Sequence, residues 1–405
     1  MSAHFTDLYC AQTPTLWCIF LLFTALERRN NSAFPAFVIA ALPAVATQNP
    51  ANLNLFHLRH RKNSFKHRWP AIQTSVYLAV FILEVPIMPL TLQQKISDPN
   101  QGVYLIGTTP PKAGTADDKT RRIAKKLLAR LNEVEYDGLV VYDIQDESSR
   151  VATERPFAFH STLDPREYSC ILREQARRDV ITYKSVAQRD AAEFNQWLSD
   201  SKQQYQLDNL VLVGSPSSNG TIKLSLADAY QQLAEHQADF FLGGVAIAER
   251  HAQKGNEHER LIEKSAMGCQ FFISQAVYNA QATIDLITSY ARSCRQQQLT
   301  PQRIILTFTP CGGEQTLEFM QWLGISVPQA SKYRILDAAN PLNESIKICR
   351  DNLQQILLHC AALDIPLGLN VESLTNRKEE IDASIRLFRL LKATMELHLA
   401  EKQVA

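Results

Sequence analysis

The sequence predicts a (β/α)8 barrel, on three observations. From residue 102 onward, short apolar runs alternate with amphipathic, charged stretches, and about eight such pairs fill roughly 300 residues, near the usual length of that fold. Most of the apolar runs lack strict alternation, as expected of parallel strands covered on both faces. Polar residues gather where these runs end, which is where barrels carry their ligands. A doubly wound open sheet is the competing architecture. Its dinucleotide-binding form is not supported, because no GxGxxG follows the first strand. P-loop, HExxH and GxSxG motifs are also absent from the sequence.

The expected strands cover residues 103–108, 138–143, 179–185, 209–214, 239–246, 269–275, 303–308 and 366–372. The expected helices cover 117–134, 164–177, 187–201, 225–237, 257–267, 280–298, 313–323 and 344–363. Two helix starts carry clear signals. Ser225 stands three residues before Asp228, and Asp164 precedes Pro165, a residue suited to the first helical turn.

The barrel is expected over 88–405, with residues 1–87 as a separate extension, disordered or arising from a non-native start. That extension has apolar runs at 16–26, 34–46 and 76–85, each shorter than the roughly 18 to 20 residues of a membrane helix. Its basic stretch runs from Arg59 to Arg68, and Met88 opens a more conventional beginning. No basic residue precedes the first run, so it does not read as a secretory leader. An interfacial anchor is the alternative reading of these runs. The net charge of +1 gives no electrostatic reason to expect nucleic acid. The eight cysteines form no CxxC pair, which suits a reduced cytoplasmic protein without a membrane-bound barrel. A homo-oligomer is compatible with this composition.

Candidate site residues follow from the strand ends. The first strand leads to Gly107, Pro110, Pro111 and Lys112; the second to Tyr142, Asp143, Asp146, Glu147 and Arg150. The third ends at Tyr183-Lys184-Ser185 and the fourth at Gly214-Ser215-Pro216. The fifth leads through Glu249 to His251, the sixth ends at Gln275, the seventh at Thr307-Phe308, and the eighth at Asn370-Val371-Glu372. Most of these groups are polar but not ionisable, the profile of a small-molecule pocket. His251, Glu249 and Glu257 are too few and too scattered to argue for a metal cage, and no metal is expected. Plain alternatives stand beside each reading. Gln275 is also suited to bonding a neighbouring backbone group, Lys264 to a solvated helix face, and Asp143 with Asp146, Glu147 and Arg150 to a salt-bridged loop.

Taken together, these segments resemble the methylenetetrahydrofolate reductase family over roughly residues 102–375. The similarity rests on Pro110-Pro111 after the first strand and on residues 141–150 after the second. It also rests on residues 244–251 and 257–264, and on Phe272-Ile273-Ser274-Gln275 with Tyr278-Asn279. The resemblance implies a (β/α)8 barrel that carries FAD and reduces 5,10-methylenetetrahydrofolate to 5-methyltetrahydrofolate with NADH or NADPH. It places His251, Lys264, Tyr142 and Ser215 around the flavin, with Lys264 on its phosphates. Gln275 and Phe308 would bind the folate, Gln275 through the pterin.

Two positions depart from the family pattern. The acidic residue expected three positions before Pro110 is Gly107, and the aspartate expected at the end of the fourth strand is Ser215. A general acid is typically worth about 10²–10⁴ in rate, so a replacement is needed. Glu372, Asp143 and Glu147 are the candidates, in that order. Glu372 leads because the eighth strand closes onto the first. A folate-binding barrel with altered chemistry, such as methyl transfer or a role as a partner subunit, is the second reading. An unrelated barrel lyase using Lys184 as a Schiff base is the third.

Overall fold

The computed structural model describes residues 90–147, 151–215 and 222–404. The expectations for residues 1–87, including Cys10 and Cys18, lie outside these, as do Arg150 and Pro216. By its contacts the chain divides into Met1–Pro89 and Leu90–Ala405, and the second unit is the barrel.

Helix α1 (Leu92–Ser97) opens this unit, followed by β1 (Tyr104–Thr108), α2 (Asp117–Leu131) and β2 (Gly138–Val141). Then come α3 (Pro165–Ala176), β3 (Asp179–Ser185), α4 (Ala191–Gln203), β4 (Asn209–Val213) and α5 (Leu226–Glu235). After β5 (Phe241–Ala246) two helices, α6 (Ala248–Lys254) and α7 (Glu257–Ala266), lead to β6 (Phe271–Ala276). Helix α8 (Ala280–Gln297) leads to β7 (Arg303–Phe308). Next are α9 (Glu314–Trp322), α10 (Gln329–Leu336), α11 (Pro341–Cys360), β8 (Leu367–Val371) and α12 (Lys378–Val404). All eight strands are parallel and close in sequence order, β8 pairing with β1 through Leu105↔Asn370 and Ile106↔Val371. This is the expected (β/α)8 barrel. Among the described residues no helix is long and apolar enough to cross a membrane.

Strand parity divides the side chains into two cores. Leu105, Val140, Ile181, Val211, Phe241, Phe271, Ile273 and Ile305 point into the barrel, each contributing about 1.5–3 kcal/mol when buried. Gly243 is needed here, because a β-carbon at that position would run into the Phe271 ring. The alternate residues, such as Ile106, Leu139, Leu212, Phe272, Ile304 and Leu306, pack outward against the helices.

Helix α1 plugs the N-terminal end of the barrel. Leu92 and Ile96 join the interior core, and the Leu92 N–H donates to the Asp179 carboxylate at 2.9 Å. Arg303, only 2% exposed, donates to the carbonyls of Ile96 (2.9 Å), Leu367 and Asp98. These include carbonyls at the end of α1 that no intrahelical donor reaches. Thus one end is sealed, and the open end is the one carrying the strand C-termini.

The two helix starts read from the sequence are realised. Ser225 caps α5 by accepting from the Asp228 N–H, and Asp164 caps α3 with Pro165 at its start. Helix α12 was not expected. Its buried Ala383, Leu387, Leu391 and Met395 recur every four residues, a helical period readable in the sequence.

Candidate active site at the barrel mouth

Gly107 sits at the end of β1, beside Glu372 one residue past the end of β8. A β-carbon on Gly107 would lie 2.9 Å from the Tyr142 phenol oxygen and 3.0 Å from the Glu372 β-carbon. The space for a side chain on β1 is therefore filled from β2 and β8. Backbone bonds fix both contributors: the Tyr142 N–H donates to Thr108 O at 3.1 Å, and the Glu372 N–H to Phe308 O at 3.0 Å.

A hydrogen-bonded chain ends on Tyr142. Asn370 Nδ2 donates to Tyr142 Oη at 2.8 Å and to Thr307 Oγ1 at 3.2 Å. The Tyr142 phenol and the Glu372 side chain lie next to each other over Gly107. Tyr183 packs edge-on against Tyr142, ring centroids 4.8 Å apart. Burial pushes the Glu372 carboxyl up to about 7, while the Tyr142 phenol beside it pulls it down. As a residue Glu372 keeps part of its surface at the mouth, although neighbouring atoms crowd its carboxyl. Burial and the nearby Glu372 charge push the Tyr142 and Tyr183 phenols up, so both are protonated. A carboxyl that titrates near neutrality in a half-apolar mouth can give and retake a proton.

The other two acid candidates are placed differently. Asp143 accepts from Lys184 Nζ and from the Ser185 N–H, both at 2.8 Å, and from Gln145 at 2.7 Å. Lys184 neighbours inward-facing Tyr183 on β3, so parity turns it outward, where it lies 5.7 Å from the Trp197 ring. This removes it from the mouth and with it the Schiff-base reading. Asp146 and Glu147 lie within electrostatic reach of Arg155, in the loop after β2. That loop runs along the rim to α9. Trp322 Nε1 donates to Thr153 O at 3.2 Å, and the Arg155 guanidinium lies 5.0 Å from the Phe319 ring centroid.

On the β5–β7 side, the expectations for Phe308 and Lys264 need correction. Phe308 is fully buried in the outer core with Ile304 and Leu306; the inward residue of β7 at the mouth is Thr307. Lys264 is 4% exposed and donates to Val245 O at 2.5 Å, with burial lowering its ammonium to about 8. It is tucked behind β5 against Gly244, its ammonium held by the strand's own backbone. Gln275 lies at a bulge in β6 and donates from Nε2 to Leu323 O at 2.8 Å, so that N–H is already used within the chain.

His251 is buried on α6, 5.2 Å from the His258 ring, and its Nδ1 has no partner. Burial and His258 lower its pKa. Ser215 lies partly exposed just past β4. Of the four side chains that the resemblance assigns to FAD, Lys264 is buried and bonded to Val245 O, and Tyr142 accepts from Asn370. Glu257, fully buried, accepts from the Ile247 N–H and Arg250, while Glu249 accepts from the Ser326 N–H at 3.2 Å. Among the described residues no three His, Cys, Asp or Glu side chains converge as a metal site. Glu249, Asn279, Ser326 and Lys332 line a peripheral cleft of about 470 Å³.

The sequence placed Asn370 and Thr307 at strand ends but gave neither a role. The signal was parity: on each strand the polar residue two positions from an inward neighbour also faces inward.

A solved structure of a Clostridium thermocellum protein that binds two copies of 5-methyl-5,6,7,8-tetrahydrofolic acid is 35% identical to this chain. The match covers 75% of this chain and 99% of that one, with a TM-score of 0.65. Xanthomonas albilineans dihydropteroate synthase matches at 11% identity over 73% of this chain and 94% of that one, with a TM-score of 0.34. N-(5'-phosphoribosyl)anthranilate isomerase from Pyrococcus furiosus matches at 9% identity over 72% and 99%, with a TM-score of 0.36. No protein-family model and no curated protein matches the chain.

Proposed function

This chain belongs to the methylenetetrahydrofolate reductase family as a divergent member, and from that premise we propose that its barrel mouth binds a reduced folate. We further propose that it reduces 5,10-methylenetetrahydrofolate to 5-methyltetrahydrofolate, with NADH or NADPH as the hydride source. Folate binding is supported by the relative's two bound copies of 5-methyltetrahydrofolate. The chemistry rests on one observation: Glu372 and Tyr142 occupy the space that a side chain at Gly107 would need. The acid that the family carries on β1 is supplied here from β8.

The step balances as follows. Protonated Glu372 gives its proton to the leaving nitrogen of the five-membered ring, whose carbon–nitrogen bond breaks to leave an iminium on the other nitrogen. Hydride from the nicotinamide adds to the one-carbon unit, giving the methyl group and oxidised nucleotide. Glu372 recovers its proton from solvent. Apolar Val213 and Val245, packed against the interior core, form a floor suited to a flat heterocycle. No step is assigned to flavin, because Lys264 is buried.

Glu372→Gln tests the reading. The variant should lose about 10²–10⁴ in turnover of methylenetetrahydrofolate with NAD(P)H and still bind 5-methyltetrahydrofolate by calorimetry. Turnover at the wild-type rate would refute the assignment. A second reading, a folate-binding barrel without reductase activity, is favoured by the burial of Lys264. Its mark would be 5-methyltetrahydrofolate binding with no nucleotide oxidation in the wild type.

A further inference from the structure

We propose that Arg155 is a carboxylate-binding subsite on the rim of the barrel mouth, and that it takes the glutamate tail of the reduced folate whose ring lies in the mouth. The assignment rests on the reading that this mouth binds folate.

Among the described residues, the guanidinium of Arg155 makes no hydrogen bond or ion pair. Its Nε is buried and no acceptor reaches it. The side chain is partly exposed and only Nε is covered in this way, so the two terminal nitrogens open to the surface. A buried donor without an acceptor is unfavourable, and few are left so in a folded chain. The guanidinium is nevertheless held firmly. Its carbon lies 5.0 Å from the Phe319 ring centroid, 5.3 Å from that of Trp322 and 5.6 Å from that of Phe159. These rings favour the charge and restrict its movement. The backbone on both sides is tied to α9: Trp322 Nε1 donates to Thr153 O at 3.2 Å and Gln315 Nε2 to Pro156 O at 3.0 Å. The side chain is thus aligned before any ligand arrives, with the end of its fork free.

Its place in the fold connects it with the mouth. The loop after β2 reaches α9, beyond β7, and returns to the β1 loop, where the Leu163 N–H donates to Pro111 O at 2.9 Å. In the barrel order β8 and β1 lie between β7 and β2, so this loop spans the sector that holds Glu372 and Gly107. A folate with its ring at Glu372 meets the loop on its way out of the mouth.

Two terminal N–H groups side by side match the two oxygens of one carboxylate. In a reduced folate the carboxylates are those of the glutamate tail. Asp146 and Glu147 lie within electrostatic reach of Arg155, and their charge penalises a doubly charged phosphate more than a single carboxylate. That favours the folate tail over the nucleotide as the source of the anion.

Calorimetry on the full chain tests the assignment, with 5-methyltetrahydrofolate and with the same molecule lacking its glutamate. The wild type should bind the complete molecule about tenfold more tightly. Arg155→Gln should bring that ratio close to one by weakening the complete ligand alone, and Arg155→Lys should keep part of it. A wild-type ratio near one overturns the assignment. So does a ratio unchanged in Arg155→Gln, whether neither ligand weakens or both weaken together, as for a residue that only pins the loop. A raised KM for NAD(P)H beside an unchanged ratio overturns it in favour of the nucleotide phosphates. A wild type that binds neither ligand overturns the folate reading itself, and this subsite with it.

Discussion

Gly107 and Glu372 stand side by side on paired strands, and the size of one fixes the position of the other. Gly107→Ala places a β-carbon 2.9 Å from the Tyr142 oxygen and 3.0 Å from the Glu372 β-carbon, so one of them must move. We expect a stability loss of about 1–3 kcal/mol by denaturant titration, and a larger proportional loss of turnover. The raised pKa of Glu372 has its own consequence for stability. The folded chain holds this proton up to about 7, against 4.5 for an ordinary glutamate. Proton uptake therefore favours folding, and this contribution falls as pH rises from about 4.5 to 7. Glu372→Gln should raise the melting temperature relative to wild type above pH 7 and give no such gain below 4.5. Glu372 was legible in the sequence because an end strand must close onto the first in a barrel. Phe308 was misread because its parity, inferable from inward Ile305, was not applied. Burial of Lys264 left no sequence signal, since glutamates surround it on a helix that looks solvated.

Among the elements, the strands were the most readable, because each is a short apolar run between charged helices. Observed bounds differ from expectation by a residue or two, as at β2, which ends at Val141. The short helices α1 and α6 have too few turns for a periodic signal, and α1 matters most to the architecture. Its last carbonyls are held by Arg303, far from the mouth. Arg303→Ala should cost on the order of 3 kcal/mol in stability, from the orphaned carbonyls and the cavity left behind. The remaining folded protein should keep its kcat. A fall in kcat at constant folded fraction would show that the plug also shapes the mouth.

At the scale of the whole molecule, the closed barrel and its sealed lower end leave the C-terminal mouth as the natural place for a folate. Two expectations belong here. The purified protein should lack stoichiometric flavin absorption in the visible, because Lys264 is unavailable to the phosphates; a bound flavin bleached by NADH would contradict this. A chain starting at Met88 should fold and bind 5-methyltetrahydrofolate as the full chain does, since Leu90–Ala405 forms a unit with its own core. Loss of binding in that shorter chain, seen by calorimetry, would show that earlier residues take part. The most direct measurement is a crystal structure with 5-methyltetrahydrofolate bound. The pterin should lie in the mouth, with the nitrogen released by ring opening about 2.6–3.2 Å from the Glu372 carboxyl. Folate bound only elsewhere, such as the cleft lined by Glu249 and Lys332, with Glu372 out of reach, would contradict the assignment.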